Sequence, residues 1–77
     1  MTNKPLTLKH EPEAARYARD KAGLTQAEAA RLIGKSPQLL ADIEAGRRSA
    51  TTEVLQNMAR VYNCPIVVLE RKRWTAA

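Results

Sequence analysis

The chain has 77 residues, and its thirteen Lys and Arg against eight Asp and Glu give a net charge of +5. A chain of this length buries only about 60–65% of its unfolded surface, which excludes a second domain and leaves little room for a large enzyme cleft. The single cysteine, Cys64, excludes an internal disulfide, and no apolar run reaches the ~20 residues of a membrane span or resembles a signal peptide, so we expect a cytoplasmic protein.

Apolar residues recur at helical rather than alternating spacing, which predicts an all-α domain of five helices. Residues 1–11 are expected to form a flexible arm in which His10 is a linker residue. The first helix extends from about Pro12 to Ala22, because proline is favoured in a first helical turn. Its buried face consists of small residues that allow another helix to approach closely, namely Ala15, Ala18 and Ala22.

The second helix is bounded by local capping signals. Thr25 and Glu28 fit a capping box, in which the Thr25 hydroxyl accepts a hydrogen bond from the Glu28 N–H and the Glu28 carboxylate accepts one from the Thr25 N–H. The helix ends at Gly34, because glycine adopts the left-handed conformation of a helix end without steric cost. The turn that follows, "GKS", has the length and composition of a helix-turn-helix joint, although ordinary helix hairpins use similar turns.

Three further helices are predicted by signals of the same kind. The third is capped by Ser36 and stops at Gly46. The fourth starts near Thr51 and is closed by Asn63. Its apolar face consists of Leu55, Met58, Ala59 and Tyr62. The fifth helix opens at Pro65 and is expected to bury two side chains, those of Ile66 and Leu69.

The third helix has an unusual outer face. Leu40 and Ile43, helped by Leu39, lie on one side and are expected in the core. The opposite side carries the short side chains of Gln38, Ala41, Asp42 and Ala45. A solvated helix face usually carries long Lys, Glu or Arg, whereas short side chains let a helix backbone approach base edges in a major groove about 12 Å wide. The pattern therefore favours a DNA-reading helix over a solvated one.

Four residues of this face are candidates for base contact. Gln38 can bond N6 and N7 of an adenine together, and Pro37 and Ala41 can touch a thymine methyl group. Asp42 can accept a hydrogen bond from N4 of a cytosine, but its carboxylate also repels phosphates. We therefore expect Asp42 either to read a cytosine or to be neutralised by a nearby Arg or Lys.

Positive charge flanks the third helix and avoids its outer face. Residues 47–77 carry six basic and two acidic side chains, a net charge of +4. Arg47, Arg48 and Lys35 are expected to bind DNA phosphates, since phosphate contacts position a protein while base contacts specify a sequence. Ser36 is first a helix cap and second a phosphate ligand. The two arginines also suit the alternative role of solvated charges that stabilise the helix C-terminus.

The segment "AGLTQAEAARLIGKSPQLLADIEAGRR", residues 22–48, resembles the helix-turn-helix of the phage-repressor and Cro family, also called the XRE family. The positions that carry the resemblance are Gly23, Leu24, Thr25, Gln26, Ala29, Ala30, Gly34, Ser36, Leu40, Ile43, Glu44 and Gly46. It extends over about residues 12–70 and leaves residues 71–77 outside as a basic tail. The resemblance implies a compact, lambda-repressor-like domain whose second and third helices form the helix-turn-helix.

The resemblance also implies roles for single residues. Gln26, at the start of the second helix, corresponds to a residue that bonds a DNA phosphate in this family. Arg19 and Glu44 occupy the positions of an ion pair between the first and third helices, which orients the third helix rather than contacting DNA. Removing one partner of such a pair costs more than the pair contributes, because the other charge is left stranded.

The C-terminal segment contains two large apolar residues outside the expected core. Val67 and Trp74 lie seven residues apart and are expected to form a dimer surface, since helix-turn-helix proteins usually bind two half-sites about 34 Å apart as two-fold dimers. The alternatives are local packing of the last helix, contact of the "RKRW" segment with the DNA backbone, and stacking of Trp74 on Arg71.

Together these observations favour a small transcriptional regulator, Cro-like or repressor-like in scale, that binds a double-stranded DNA operator in a bacterial or phage-infected cell and dimerises at least on DNA. The chain length leaves no room for a separate effector domain, so no small-molecule effector is expected. The alternatives are an antitoxin or other protein-binding helix-turn-helix module, and a scaffold domain that has kept the fold and lost DNA binding.

The residues that could carry chemistry are few. One His, one Cys and scattered carboxylates form no catalytic triad, no paired-His metal site and no glycine-rich phosphate loop. We therefore expect no catalytic residue, no metal and no cofactor. Cys64 precedes a proline at a helix start and is expected to be a small buried apolar residue rather than a reactive thiol.

Overall fold

The computed structural model describes residues 8–71, which contain five α-helices and no strand. They are α1 Pro12–Lys21, α2 Gln26–Ile33, α3 Pro37–Ala45, α4 Thr52–Tyr62 and α5 Ile66–Leu69. The prediction of an all-α, five-helix domain is confirmed. Residues 1–7 and residues 72–77, which include Trp74, lie outside the described part of the chain.

The helix boundaries follow the capping signals in the sequence. The Thr25 hydroxyl accepts from the Glu28 N–H at 3.1 Å and the Glu28 carboxylate accepts from the Thr25 N–H at 2.8 Å, which completes the capping box of α2. Ser36 and Thr51 cap α3 and α4 in the same way, each accepting at 3.1 Å from the N–H three residues later. Gly34 has a φ of 85°, the left-handed conformation that ends α2.

The core lies where the apolar faces of the helices meet. Ile43 of α3, Met58 of α4 and Leu69 of α5 are its largest fully buried apolar side chains. Burying each such side chain stabilises a fold by roughly 1.5–3 kcal/mol. The remaining members are mostly small or aliphatic, namely Ala15, Ala18, Ala29, Ala30, Ile33, Leu40, Ala50, Val54, Leu55 and Tyr62. Leu40 and Ile43 are buried as predicted, and Leu39 packs partly buried against them.

The start of α1 packs closely against the end of α3. Gly46 has a φ of 79°, and a Cβ atom built on it would lie 3.4 Å from Cγ of Pro12 and 3.9 Å from the Leu8 side chain. Glycine at this position therefore serves both the left-handed helix end and the close approach of the two elements. Ala15 and Ala18 are buried as expected, but Ala22 is exposed because α1 ends before it and the chain turns away there.

The interpretation of His10 as a linker residue is wrong. Its side chain is fully buried, with Nε2 2.7 Å from the carbonyl oxygen of Ile43. Nδ1 accepts a hydrogen bond from the backbone N–H of Ala50 at 3.2 Å, so the ring must carry its proton on Nε2 and donate to Ile43. One imidazole thus ties the segment before α1 to the end of α3 and to the residue that precedes the cap of α4.

The two ends of the described chain lie side by side. The Glu11 N–H donates to the Leu69 carbonyl at 2.9 Å, and the Arg71 N–H donates to the Lys9 carbonyl at 3.0 Å. These bonds flank an isolated antiparallel β-bridge between His10 and Glu70. The bridge attaches the short helix α5 to the segment that enters α1. No helix within residues 8–71 is long and apolar enough to cross a membrane.

Candidate nucleic-acid interface

A tight turn sets α3 against α2. The N–H groups of Gly34 and Lys35 both donate to the carbonyl of Ala30, at 2.8 and 2.9 Å, which closes the last turn of α2 and redirects the chain. Ser36 then caps α3, with Pro37 as its first residue, where a missing N–H costs no hydrogen bond. The joint leaves the N-terminal end of α3 exposed on the surface.

The outer face of α3 has the short side chains that the sequence predicts. Pro37, Gln38 and Ala45 are exposed, and Ala41 and Asp42 are half-buried. The exposed cations lie just outside the helix, with Lys35 before its N-terminus and Arg47 and Arg48 after its C-terminus. The nearly uncharged face of α3 therefore lies between basic residues that directly precede and follow the helix in the chain. The "GKS" turn places Lys35 before α3, and the helix end at Gly46 places Arg47 and Arg48 after it.

Asp42 is paired with a basic neighbour, one of the two outcomes expected for it. Its Oδ1 accepts from Nε of Arg47 at 3.0 Å and lies 3.0 Å from Nη2 of the same guanidinium. Oδ1 also accepts from Nε2 of Gln38 at 3.1 Å. The hydrogen bond between Gln38 and Asp42 was not predicted, although residues four apart on a helix are neighbours and Gln–Asp pairs at that spacing stabilise helices.

Behind this face, Arg19 of α1 and Glu44 of α3 form the ion pair that the family resemblance implied. Nε and Nη2 of Arg19 donate to the two carboxylate oxygens at 2.6 and 3.0 Å, a bidentate geometry. Only 11% of the Arg19 side chain and 4% of the Glu44 side chain are exposed. The hydrogen bonds to Glu44 raise the pKa of Arg19 against the lowering effect of burial, so the guanidinium stays charged.

Arg19 also reaches beyond Glu44. Its Nη1 donates to the carbonyl of Leu24 at 2.8 Å and lies 3.3 Å from a carboxylate oxygen of Asp20. The Leu24 carbonyl belongs to the connection between α1 and α2, so one guanidinium holds three elements in register. Burying a guanidinium is tolerated only where its donors are satisfied, and here Nε, Nη1 and Nη2 each have an acceptor.

Gln26 is held by the same carboxylate. Its Nε2 donates to Oε1 of Glu44 at 3.0 Å, which connects the start of α2 to α3. An amide nitrogen carries two hydrogens, so this bond leaves the second hydrogen and the carbonyl oxygen of Gln26 for another partner. The sequence predicted a phosphate ligand at Gln26 but not its bond to Glu44, because no local spacing connects two residues 18 positions apart.

Tyr62 of α4 borders the buried pair. Burial raises the pKa of the Tyr62 phenol, and the negative charge of Glu44 raises it further by a smaller amount. The Tyr62 hydroxyl is buried without a hydrogen-bond partner within residues 8–71.

The candidate dimer residue Val67 is 58% exposed on α5, whereas Trp74 lies outside the described residues. Beside α5 there is a groove of about 600 Å³ between α1, α4 and the start of α5, lined in part by Tyr17, Cys64 and Val68. Tyr17 is 64% exposed. Cys64 packs partly buried against the core, as predicted, and burial raises the pKa of its thiol. No local pattern places Tyr17 near the last helix, because the two meet only once the chain has folded.

Residues 8–71 contain no group of three or more His, Cys, Asp or Glu side chains that could hold a metal ion. The basic and amide side chains around α3 are hydrogen-bond donors, which suit anionic ligands and base edges rather than cations.

Comparison with known proteins identifies the family of this domain. Residues 16–69 match the helix-turn-helix family HTH_3, from within α1 to the end of α5. No curated protein matches the chain. Among solved structures, the clp gene regulator ClgR from Corynebacterium glutamicum is 27% identical with a TM-score of 0.69, and 73% of each chain is covered.

Two further structures have the same fold. The restriction-modification controller protein C.AhdI from Aeromonas hydrophila superposes with a TM-score of 0.71 at 21% identity, covering 74% of this chain and 86% of that one. Hydroxypropylphosphonic acid epoxidase from S. wedmorenis superposes with a TM-score of 0.70 at 26% identity, covering 78% of this chain but 32% of the enzyme. The likeness to that enzyme is therefore confined to about a third of it. By the extent of the family match and the arrangement of α2 and α3, the chain belongs to the XRE-type helix-turn-helix family of DNA-binding regulators.

Proposed function

We propose that the protein is a sequence-specific transcriptional regulator, Cro-like or repressor-like in action, that inserts α3 into the major groove of a double-stranded DNA operator. The observation that carries the proposal is the outer face of α3, which is short and nearly uncharged while exposed cations lie at both of its ends. Such a face lets the helix backbone approach the bases, and the cations account for affinity through phosphate contacts.

Base contacts are assigned to the N-terminal half of α3. Gln38 is exposed and presents an amide that can pair with both N6 and N7 of an adenine. Pro37 and Ala41 lie on the same side and offer apolar contact to a thymine methyl group. Recognition helices use their N-terminal residues in this way, because that end reaches deepest into the groove.

Phosphate contacts are assigned to groups that surround this half-helix. Lys35, Arg47 and Arg48 supply positive charge, and each phosphate they neutralise releases a counterion and makes binding dependent on salt. Ser36 and Gln26 lie at the N-termini of α3 and α2, where backbone N–H groups and the helix dipole favour an anion. The hydrogen bond that Gln26 donates to Glu44 fixes the Gln26 amide for such a contact.

We further propose that two copies bind together on a two-fold operator. Val67 and Trp74 remain the proposed contact residues, and the exposure of Val67 beside the groove at Tyr17 and Val68 supports an apolar surface at α5. A two-fold dimer presents two recognition helices to half-sites about one helical turn apart. The alternative function, that of an antitoxin or other protein-binding module, would use the same apolar surface for a different chain.

Selection of bound sequences from a random pool of duplex DNA tests this function. The native protein should enrich a short motif, and a palindrome in that motif would support two-fold binding. Gln38→Ala should weaken binding to the enriched site by about 1–3 kcal/mol and relax preference at one base position. Gln56→Ala, which removes an exposed Gln from α4, is the matched control and should leave the motif unchanged. Enrichment of no sequence would contradict the proposal and favour the protein-binding alternative.

Arg48→Ala provides the complementary measurement. Loss of a phosphate contact should weaken binding to all duplexes by a similar factor and should reduce the dependence of affinity on salt, with a change in log–log slope of about 0.9 per contact. An effect of this substitution on one sequence only would contradict a phosphate role for Arg48.

A further inference from the structure

The Asp42 carboxylate uses a single oxygen for two neighbours. Oδ1 lies 3.1 Å from Nε2 of Gln38 and 3.0 Å from both Nε and Nη2 of Arg47. The three contacts bring together one residue from the first turn of α3, one from its second turn and one from the loop after it. Only 24% of the Asp42 side chain is exposed, against 64% for Arg47, so the carboxylate lies beneath the guanidinium rather than at the surface.

This arrangement decides which way the Gln38 amide points. A carboxylate is only an acceptor, so the amide must turn its NH₂ group towards Asp42. One N–H is used there, and the amide oxygen with the second N–H is left for an outside partner. Those two groups are the pair that matches N6 and N7 of an adenine, and an amide free to rotate would present them in either order.

The same oxygen also fixes Arg47. Nε and Nη2 face Asp42, which leaves Nη1 as the part of the guanidinium turned away from the carboxylate. Arg47 can therefore bind a phosphate through Nη1 while it stays bonded to Asp42. The attached carboxylate cancels the charge of Arg47 near the groove. The pair therefore holds the guanidinium in one orientation and weakens the non-specific attraction of Arg47 to phosphates.

We propose that Asp42 is a positioning residue that sets sequence specificity by holding Gln38 and Arg47, rather than a residue that reads a base itself. The inference rests on the proposed function, because it states how the α3 face obtains selectivity. Asp42 fixes the order of donor and acceptor on Gln38 and lowers the affinity for DNA of the wrong sequence. Both effects raise the ratio of specific to non-specific binding, the quantity that matters when competing sites are numerous.

Asp42→Ala is the direct test. Binding to duplexes of unrelated sequence should become stronger, with a log–log salt slope steeper by up to about 0.9, because Arg47 is released as a full charge. The ratio of specific to non-specific affinity should fall roughly tenfold, since a correctly presented pair of hydrogen bonds discriminates between bases by about that factor. Selection with this variant should relax the same base position as Gln38→Ala does.

Two matched variants isolate the mechanism. Glu53→Ala removes an exposed carboxylate from α4 and causes the same change in net charge, and it should not alter the motif or the non-specific affinity to the same extent. In the Arg47→Ala background, Asp42→Ala still removes a carboxylate that repels phosphates but no longer releases a guanidinium, so the gain in non-specific affinity should be smaller than in the native background. A double-mutant cycle with no coupling between Asp42 and Arg47 would overturn the proposal.

A measurement on the free protein tests the network without DNA. Exchange of the Arg47 Nε–H with water, followed by NMR, should be slower than that of the neighbouring Arg48 and should become equally fast in Asp42→Ala. Equal exchange in the native protein would overturn the proposal. So would relaxation of a cytosine preference at a position separate from that of Gln38, because direct reading predicts it. A native protein that binds no duplex even at low salt would refute the proposed function and this inference with it, whereas normal binding that Asp42→Ala leaves unchanged would refute the inference alone.

Discussion

Replacement of Arg19 by Met should destabilise the domain more than any other single substitution of a charged residue within residues 8–71. The change keeps the aliphatic length of the side chain but leaves the Glu44 carboxylate, 4% exposed, with Gln26 as its remaining donor. It also removes the donor to the Leu24 carbonyl. Stranding one partner of a buried pair costs about 3–5 kcal/mol. Residual exposure of this pair favours the lower end, about 3 kcal/mol.

A loss of that size is large for a small domain. Total stability is about 0.05–0.15 kcal/mol per residue, and each kcal/mol shifts the melting temperature of a domain of this size by about 4–8 °C. We therefore expect Arg19→Met to lower the melting temperature by roughly 12–24 °C, measured by circular dichroism at 222 nm and pH 7. Urea unfolding at 25 °C gives the free energy independently.

Two controls separate stranding of a charge from loss of packing. Arg16→Met makes the same exchange at an exposed position three residues earlier on α1 and should change stability by less than about 0.5 kcal/mol. The double substitution Arg19→Met with Glu44→Leu removes both charges and should regain most of the lost stability, because apolar replacement of a whole buried pair is often neutral. A single variant as stable as the native protein, or a double variant no better than the single one, would refute this account of the pair.

Three further predictions follow from other contacts. His10→Leu should cost about 1–3 kcal/mol in urea unfolding, because the Ala50 N–H is left buried without an acceptor, whereas Lys9→Ala should have little effect; equal effects of the two would contradict a structural role for the imidazole. Hydrogen bonds from the Thr25 N–H and hydroxyl lower the pKa of Glu28. The stability that results is complete above the ordinary carboxyl pKa of about 4.3 and is lost as pH falls through the lower folded value, so Glu28→Gln should flatten the acid side of the stability curve, and an unchanged curve would argue against the capping box. Trp74→Ala should shift sedimentation towards a smaller species, and a sedimentation profile identical to that of the native protein would remove Trp74 from the proposed dimer surface.

The accuracy of the sequence-based expectations depended on how far apart the interacting residues lie in the chain. Capping of α2 by Thr25 and the left-handed end at Gly34 involve residues within a few positions, so propensity and spacing located them. The contact of His10 with Ile43 and Ala50 spans 33 and 40 residues, and no local pattern distinguishes a buried histidine from one in a linker. Local rules describe the helices, whereas such contacts exist only once the helices have packed.

Sequence separation also decides part of what could be predicted for the surface around α3. The short side chains on α3 were visible from helical periodicity alone, and the Arg19–Glu44 pair came from the family resemblance rather than from spacing. Two bonds to these groups were not anticipated, from Gln26 to Glu44 and from Gln38 to Asp42. The first joins distant positions, while the second has a recognisable i, i+4 spacing. Both side chains also suit contact with DNA, so this spacing alone does not predict that they bond each other.

The bridge between His10 and Glu70 has a mechanical consequence. Because the two segments run antiparallel, the chain enters at Leu8 and leaves at Arg71 from the same edge, and a force that separates these ends loads the flanking bonds one after the other. Such a geometry opens like a zipper, at lower force than a pair sheared along its length. The contact that follows along the N-terminal segment is that of His10 with the end of α3. Tension on the chain ends would therefore load the attachment of α3 together with the core residue Leu69.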